Sequence, residues 1–338
     1  MKQTIYTIAN QAGVSIATVS RALNGSSRVN EETRARILQI AKDLGYQPSA
    51  SARSLAMNTT ETLALVLPHV SGPYFSELIR GAESVSRLNH YHLLIYSSTD
   101  LGGGDALLPL LSTRTDGMIL GTHFTTDDYI HQLYRDKFPF VLLGQTVPNL
   151  PINTVCPDNQ AGAYQLTRHL IEQHDFRKVG FIAGPENQNH SRERLAGYRQ
   201  ALQEYGIAAQ PEWIVSGNFD ESSGYASAQQ LLALPHPPQA IFAANDQMAI
   251  GALAAARTAG YSIPDDLAIV GFDDIPSAQY LQPPLTTVSL AIFDQGVKAM
   301  QQLLECIKHP ELSPQAITIA TFLMVRRSCG CYPEPTDG

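Results

Sequence analysis

Apolar positions recur at helical spacing through the first 45 residues. Ile5, Ile8 and Ala9 share one face of a short helix that Thr4 is placed to cap and that stops at Ala12-Gly13. Ser15 is placed to cap a second helix, Ile16–Leu23, with Val19, Ala22 and Leu23 inward. Asn24-Gly25-Ser26-Ser27 breaks the pattern. Asn30 then caps a third helix, where Glu31 and Glu32 complement the helix dipole and Ile37, Ile40, Ala41 and Leu44 form the apolar stripe. Residues 46–60 are rich in Ser and Ala, which reads as a linker or as a helix too weak to stand alone.

From Leu63 the pattern changes. Short apolar runs at 63–67, 93–97, 117–120, 140–143, 179–183, 240–244 and 267–272 read as strands. They alternate with helical patterns at 74–88, 160–173, 192–205, 222–232, 248–259 and 294–307. Strand–helix alternation predicts doubly wound parallel sheets, and about 270 residues is long for one of them, so two lobes are expected. Ligands of such folds sit at the C-terminal ends of the strands.

Charge sharpens this division. The 338 residues carry a net charge of −8. Residues 1–60 hold seven basic residues against three acidic ones, a net +4, which leaves −12 for the remainder. A basic head on an acidic body suggests that one end contacts nucleic acid. No apolar segment is long enough to span a membrane, and no signal-peptide pattern leads the chain, so a cytoplasmic protein is expected. Four cysteines are too few for a disulfide scaffold. Cys329-Gly330-Cys331 matches no spacing among the ten histidines and reads as a surface pair, with no metal or cofactor expected. Neither G-x-x-x-x-G-K-[ST] nor G-x-S-x-G is present, so the chain does not read as an enzyme.

The run from Ala9 to Asn24 has the chemistry of a helix-turn-helix. Gly13 permits the tight turn, Ala9 permits close crossing, and Val14 and Val19 bury against the first helix. Ile16, Ala17, Ser20 and Arg21 are left facing outward. Arg21 suits guanine, and Ile16 and Ala17 suit thymine methyl groups.

These residues, with Thr4-Ile5-Tyr6, Val29-Asn30-Glu31-Glu32-Thr33-Arg34, Leu44-Gly45-Tyr46-Gln47-Pro48 and Ala52-Arg53-Ser54-Leu55, resemble the headpiece and hinge of the LacI/GalR family of bacterial transcription regulators. The body resembles the family's periplasmic-binding-protein-like effector domain at Pro73-Tyr74-Phe75, Asp158-Asn159, Arg194-Leu195-Ala196-Gly197-Tyr198, Ala244-Asn245-Asp246 and Val270-Gly271-Phe272-Asp273-Asp274. The resemblance covers residues 4–328.

The resemblance implies an all-α helix-turn-helix headpiece at 1–47, a hinge at 48–60, and a two-lobed α/β effector and dimerisation domain at 61–338. Lobe 1 is expected over about 61–160 and 290–320, and lobe 2 over about 161–289 and 321–331. It implies operator contacts from Thr4, Tyr6, Ser15, Ile16, Ala17, Thr18, Ser20, Arg21, Asn24, Asn30, Ala52 and Leu55. Leu55 would wedge between base pairs in the minor groove, against the plainer reading of a stray apolar residue in a linker. It implies effector contacts from Ser71, Tyr74, Phe75, His123, Gln145, Arg194, Phe219, Asn245 and Asp273. A ligand-responsive repressor acting as a homodimer follows, its effector a small molecule, most commonly a carbohydrate in this family, with a nucleobase or nucleoside left open. Gly144-Gln145 departs from the acidic–basic pair of many members, so sugar specificity does not carry over, and the tail lacks a leucine heptad, which favours a dimer over a tetramer. The body alone also fits a sugar-binding transport or chemoreceptor protein.

Overall fold

A computed structural model describes residues 4–23, 25–46, 59–68, 70–97, 109–121 and 127–332. The chain divides into two compact units, Met1–Glu61 and Thr62–Gly338.

The first unit contains α1 (Ile5–Ala12), α2 (Ile16–Leu23) and α3 (Glu31–Asp43). Ile8, Val19 and Ile37, one from each helix, are completely buried together. Gly13, at φ +63°, makes the turn between α1 and α2. Ser15 Oγ accepts the Thr18 N–H (3.1 Å) and Asn30 Oδ1 accepts the Thr33 N–H (2.8 Å), so both expected caps form. Thr4 differs. Its hydroxyl meets that of Thr7 (3.3 Å) and caps no backbone N–H. Packing of Ile8 and Ala9 against the other helices, rather than a side-chain cap, holds α1 in place.

The second unit holds two parallel sheets. Its strands are β1 (Thr62–Leu67), β2 (His92–Ser97), β3 (Gly117–Leu120), β4 (Phe140–Leu143), β5 (Asn153–Pro157), β6 (Val179–Ala183), β7 (Ile214–Ser216), β8 (Ala240–Ala243), β9 (Ala268–Val270), β10 (Thr287–Ser289), β11 (Ala316–Ile319) and β12 (Phe322–Met324). One sheet runs β11-β5-β4-β3-β1-β2 and the other β7-β6-β8-β9, with parallel neighbours throughout. Ala64 of β1 lies opposite Leu94 of β2 and Met118 of β3. The continuous apolar runs follow from burial on both faces, since Leu63 to Leu67 are all about fully buried. The edge strands β2, β7 and β11 are less covered, and in β2 Leu94 and Ile95 are both 39% exposed. β10 and β12 form a separate antiparallel pair.

The helices are α4 (Pro73–Leu88), α5 (Asp127–Arg135), α6 (Asn159–His174), α7 (Asn189–Glu204), α8 (Glu221–Leu232), α9 (Asp246–Thr258) and α10 (Ile292–Lys308). They pack in pairs, α4 on α10, α6 on α7 and α8 on α9, and each pair closes over glycine. A Cβ at Gly81 would lie 2.1 Å from Phe293 O, and one at Gly251 would lie 2.0 Å from Glu221 O. Backbone, not side chain, fills both spaces. Five strands, β5, β7, β10, β11 and β12, and helix α5 were not among the elements expected from the pattern.

Among the described residues the chain passes between the sheets three times, and the passages are bonded to one another. The Asp158 N–H donates to Ile319 O (3.0 Å), the Thr321 hydroxyl to Asp158 O (3.2 Å), and the Asp273 N–H to Val288 O (2.9 Å). Completely buried Asp246 ties α9 to this region. Its Oδ1 accepts the Thr287 hydroxyl (2.6 Å), and its Oδ2 accepts the Ile275 N–H (2.9 Å). Burial, and then the neighbouring Asp273, raise its carboxyl well above the usual range. No helix among the described residues is long and apolar enough to cross a membrane.

Gly251→Ala must push α8 away from α9, and an overpacking cost of about 1–3 kcal/mol is expected in urea unfolding followed by circular dichroism. A midpoint unchanged from the wild type would mean that the helices do not meet as closely as described.

Candidate functional site

The strand order places the expected binding residues. In the β7-β6-β8-β9 sheet the connections reverse direction between β6 and β8, and the crevice opens at their C-terminal ends. Asn245 follows β8, Asp273 follows β9, and Arg194 reaches in from the second turn of α7. In the other sheet, Ser71 follows β1 and Gln145 follows β4.

Arg194 and Asp273 form the centre. Their side chains are only 5% and 8% exposed, so both charges have left water, and Nη1 lies 3.0 Å from Asp273 Oδ1. Arg194 Nε donates to Asn159 Oδ1 (2.9 Å) and Nη1 to Ala244 O (2.5 Å), while the guanidinium carbon lies 4.1 Å from the centre of the Phe272 ring. The guanidinium is thereby held on three sides and cannot swing away. Asp273 is less satisfied. Its Oδ1 is close to Arg194 Nη1 but off the N–H direction, and no described donor is aligned on it. Burial, only partly offset by Arg194, raises its carboxyl to about 6. Asp273 also has φ +115°, a conformation that costs an L-residue energy and clusters at functional sites. The centre is therefore a fixed cation beside a carboxylate with acceptor capacity to spare, which suits a ligand bearing hydroxyl groups.

Tyr74 approaches from the first sheet's side. Its hydroxyl donates to Oε1 of fully buried Gln295 (3.4 Å), and Gln295 Nε2 in turn donates to Leu290 O (2.7 Å). Burial, and then the Asp273 charge, raise the Tyr74 hydroxyl above its ordinary value, so the two face one electrostatic environment. Phe75 packs edge-on against Tyr74 at 5.2 Å. The Cys156 thiol, pushed up to about 11 by burial and then by Glu193, donates to Gln145 O (3.6 Å).

The remaining expected contacts are differently employed. Asn245 Oδ1 caps α9 by accepting the Met248 N–H (2.9 Å), and its Nδ2 donates to Phe219 O (3.1 Å). Phe219 lies over Gly184, where a Cβ would fall 2.0 Å from the ring, and stacks on His190 at 5.1 Å. Ser71 is exposed ahead of α4, and His123 lies outside the described residues. Asn159, Phe272, Gln295 and Asp246 were not among the expected site residues. Asp158-Asn159 and Phe272-Asp273 stand in the motifs already singled out, whereas nothing local marks Gln295.

In the first unit, α2 presents Ile16 (40% exposed), Ala17 and Arg21 outward, with Ser20 and Thr18 half-buried at the margin of that face. Thr4, Tyr6, Ser15 and Asn30 are exposed, Ser15 and Asn30 serving also as caps. Asn24, Ala52 and Leu55 lie outside the described residues. The expectation of a surface cysteine pair is corrected. Cys329 is fully buried, and both thiols lie against His169 and His174, which the fold brings in from α6.

Residues 4–49 match the family of bacterial regulatory proteins, lacI family, and residues 167–329 match the periplasmic binding protein-like domain. The chain is 36% identical to the HTH-type transcriptional repressor CytR of Escherichia coli (strain K12), over 98% of this chain and 97% of that protein. Among solved structures it is similar to the transcriptional regulator CelR–cellobiose complex (30% identity, TM-score 0.75, 96% of this chain and 99% of that one). It is also similar to the lac repressor dimer bound to operator and the anti-inducer ONPF (25% identity, TM-score 0.85, 97% and 99%).

The raised Asp273 carboxyl gives a pH signature. Between the ordinary value of 3.8 and about 6 the unfolded chain has lost this proton and the folded chain retains it. Stability contributed by this group is therefore full at the acid end and is lost as pH rises through about 6. Relative to Asp273→Asn, the wild type should lose on the order of 2–3 kcal/mol across that window in urea titrations. Parallel pH profiles for the two proteins would contradict the assignment.

Proposed function

Because the chain belongs to the LacI family of bacterial regulatory proteins, we propose that it is a homodimeric transcriptional repressor of the cytoplasm, controlled by a carbohydrate bound at Arg194 and Asp273. The observation that carries this reading is a single chain holding both an outward α2 face of Ile16, Ala17 and Arg21 and a buried Arg194–Asp273 pair at strand ends. The operator-bound lac repressor dimer supports the first half, and the cellobiose complex of CelR supports the second.

Two headpieces, residues 1–47 of each protomer, lay α2 in successive major grooves of a pseudo-palindrome. Arg21 reads guanine by two parallel hydrogen bonds, Ile16 and Ala17 pack on thymine methyls, and Ser15, Thr18, Ser20, Asn24 and Asn30 hold the backbone. Thr4 and Tyr6 extend this contact. Residues 48–60 form a hinge helix on DNA, where Ala52 allows close approach of the partner helix and Leu55 opens a base step. The acidic remainder, residues 61–338, stays off the DNA, and its exposed apolar edge at Leu94 and Ile95 offers area to the second protomer.

The effector sits between the lobes. Its hydroxyls donate to Asp273 and accept from Arg194, while Tyr74, Phe75 and Phe219 offer apolar faces and Ser71, His123, Gln145 and Asn245 form the margin. Binding, not bond cleavage, is the work of this site. Because the chain passage at Val288 and Leu290 is bonded to the Asp273 backbone, a ligand bridging Asp273 and Tyr74 favours one arrangement of the lobes over another. Only such a difference in affinity between two states can move the hinge.

Three substitutions separate these roles. Arg21→Ala should weaken operator binding by about 1–3 kcal/mol and relax preference at one base pair in gel-shift assays. Leu55→Ala should weaken specific binding more than non-specific binding, and equal losses on both would refute the wedge. Arg194→Gln should retain operator binding, show native circular dichroism and lose the effector response, so a normal dose–response in that variant overturns the site.

A further inference from the structure

The geometry points to a second site, independent of the effector: His169, His174, Cys329 and Cys331 form a closed four-ligand site for one zinc ion. Their ligand atoms all lie within 4.8 Å of one another. Cys329 Sγ is 3.7 Å from His169 Nε2, and Cys331 Sγ is 3.6 Å from His169 Nε2 and 3.3 Å from His174 Nε2. A tetrahedral zinc ion, with Zn–S about 2.3 Å and Zn–N about 2.0–2.1 Å, sets sulfur and nitrogen ligands about 3.5 Å apart. The observed separations bracket that value. The longest separation in the set exceeds it, so closing on the ion needs a side-chain shift of about 1 Å, which half-buried His174 and Cys331 can make.

Two features of the chain build this arrangement. The histidines are five residues apart at the end of α6, where Asp175 in the left-handed conformation stops the helix, and His174 is steadied by stacking on Phe176 (5.2 Å). The cysteines flank Gly330, at φ +102°, and a Cβ there would lie 3.3 Å from the His174 ring. Glycine thus supplies both the backbone turn and the space for the imidazole.

The backbone leading into the pair is already fixed. Ser328 Oγ accepts the Thr286 N–H (2.8 Å), Ser328 O accepts the Ile269 N–H (3.0 Å), and the Thr286 hydroxyl lies 3.2 Å from Cys329 Sγ, as an outer partner of a bound thiolate would. All four cysteines of the chain are free thiols. Two thiolates and one zinc ion sum to zero charge, which suits a buried site, and binding releases two protons. Four occupied positions leave none for substrate, so the ion is structural, clipping the end of α6 to the C-terminal segment.

The test uses the reduced, full-length protein, freed of metal and titrated with zinc in competition with a chromophoric chelator, and in parallel with cobalt(II). Expected are one equivalent per chain, two protons released, the visible absorption of tetrahedral thiolate-bound cobalt and a raised melting temperature. Cys331→Ser and His174→Gln, each checked for native circular dichroism, should lose that spectrum and bind zinc at least tenfold more weakly. Absence of stoichiometric binding in the reduced wild type overturns the site, as does wild-type affinity in both variants or a cobalt spectrum without thiolate character. Operator binding and effector response are not among these readouts, so the outcome is separate from that of the regulatory reading.

Discussion

Two opposite charges withdrawn from water, Arg194 and Asp273, set the terms for the structure around them. A buried guanidinium needs partners, and here Asn159 takes Nε, Ala244 takes Nη1 and the Phe272 ring covers one face. Those partners come from α6, the end of β8 and the end of β9. The pair therefore fixes how these elements meet, and breaking one half would leave an uncompensated charge, at a cost of about 3–5 kcal/mol. Asp273 is left short of donors because Arg194 is held elsewhere. The same constraint that stabilises the cation thus leaves a buried carboxylate oxygen without an aligned donor among the described residues.

The pair is bonded into the short chain passages between the two sheets. The Asp273 backbone pairs with Val288, and the side chain of Asp274, its neighbour, meets Arg326 at 2.7 Å. Asp246 binds Thr287 and Ile275 across the same junction. The helices that cover the sheets meet over glycine backbones.

Much of this was legible in the chain, for identifiable reasons. The buried strands read as apolar runs because both faces are covered, and Asn30 and Ser15 read as caps because their side chains bond locally. The strands that escaped notice are three to five residues long, and β11 alternates exposed with half-buried positions, so its run is not apolar. Arg194 and Asp273 stood out because charges in an apolar setting need partners. Asn159 and Gln295 did not, since their roles depend on residues 35 positions away or more. The thiol–imidazole cluster was concealed most fully. Cys-x-Cys and histidines five apart match no familiar ligand spacing, and only the packing of α6 against the C-terminal segment brings them together.

The most direct measurement of the central pair is a thermal-shift screen of the intact protein against sugars and purine nucleosides, run in parallel on Asp273→Asn. A ligand at about 100 times its Kd adds about 2.7 kcal/mol of stability, which is readily seen. The pair's proposed role predicts that a polyhydroxylated sugar raises the wild-type melting temperature and leaves that of Asp273→Asn unchanged. An equal shift in the two proteins, or a response to purine nucleosides with none to any sugar, would contradict it.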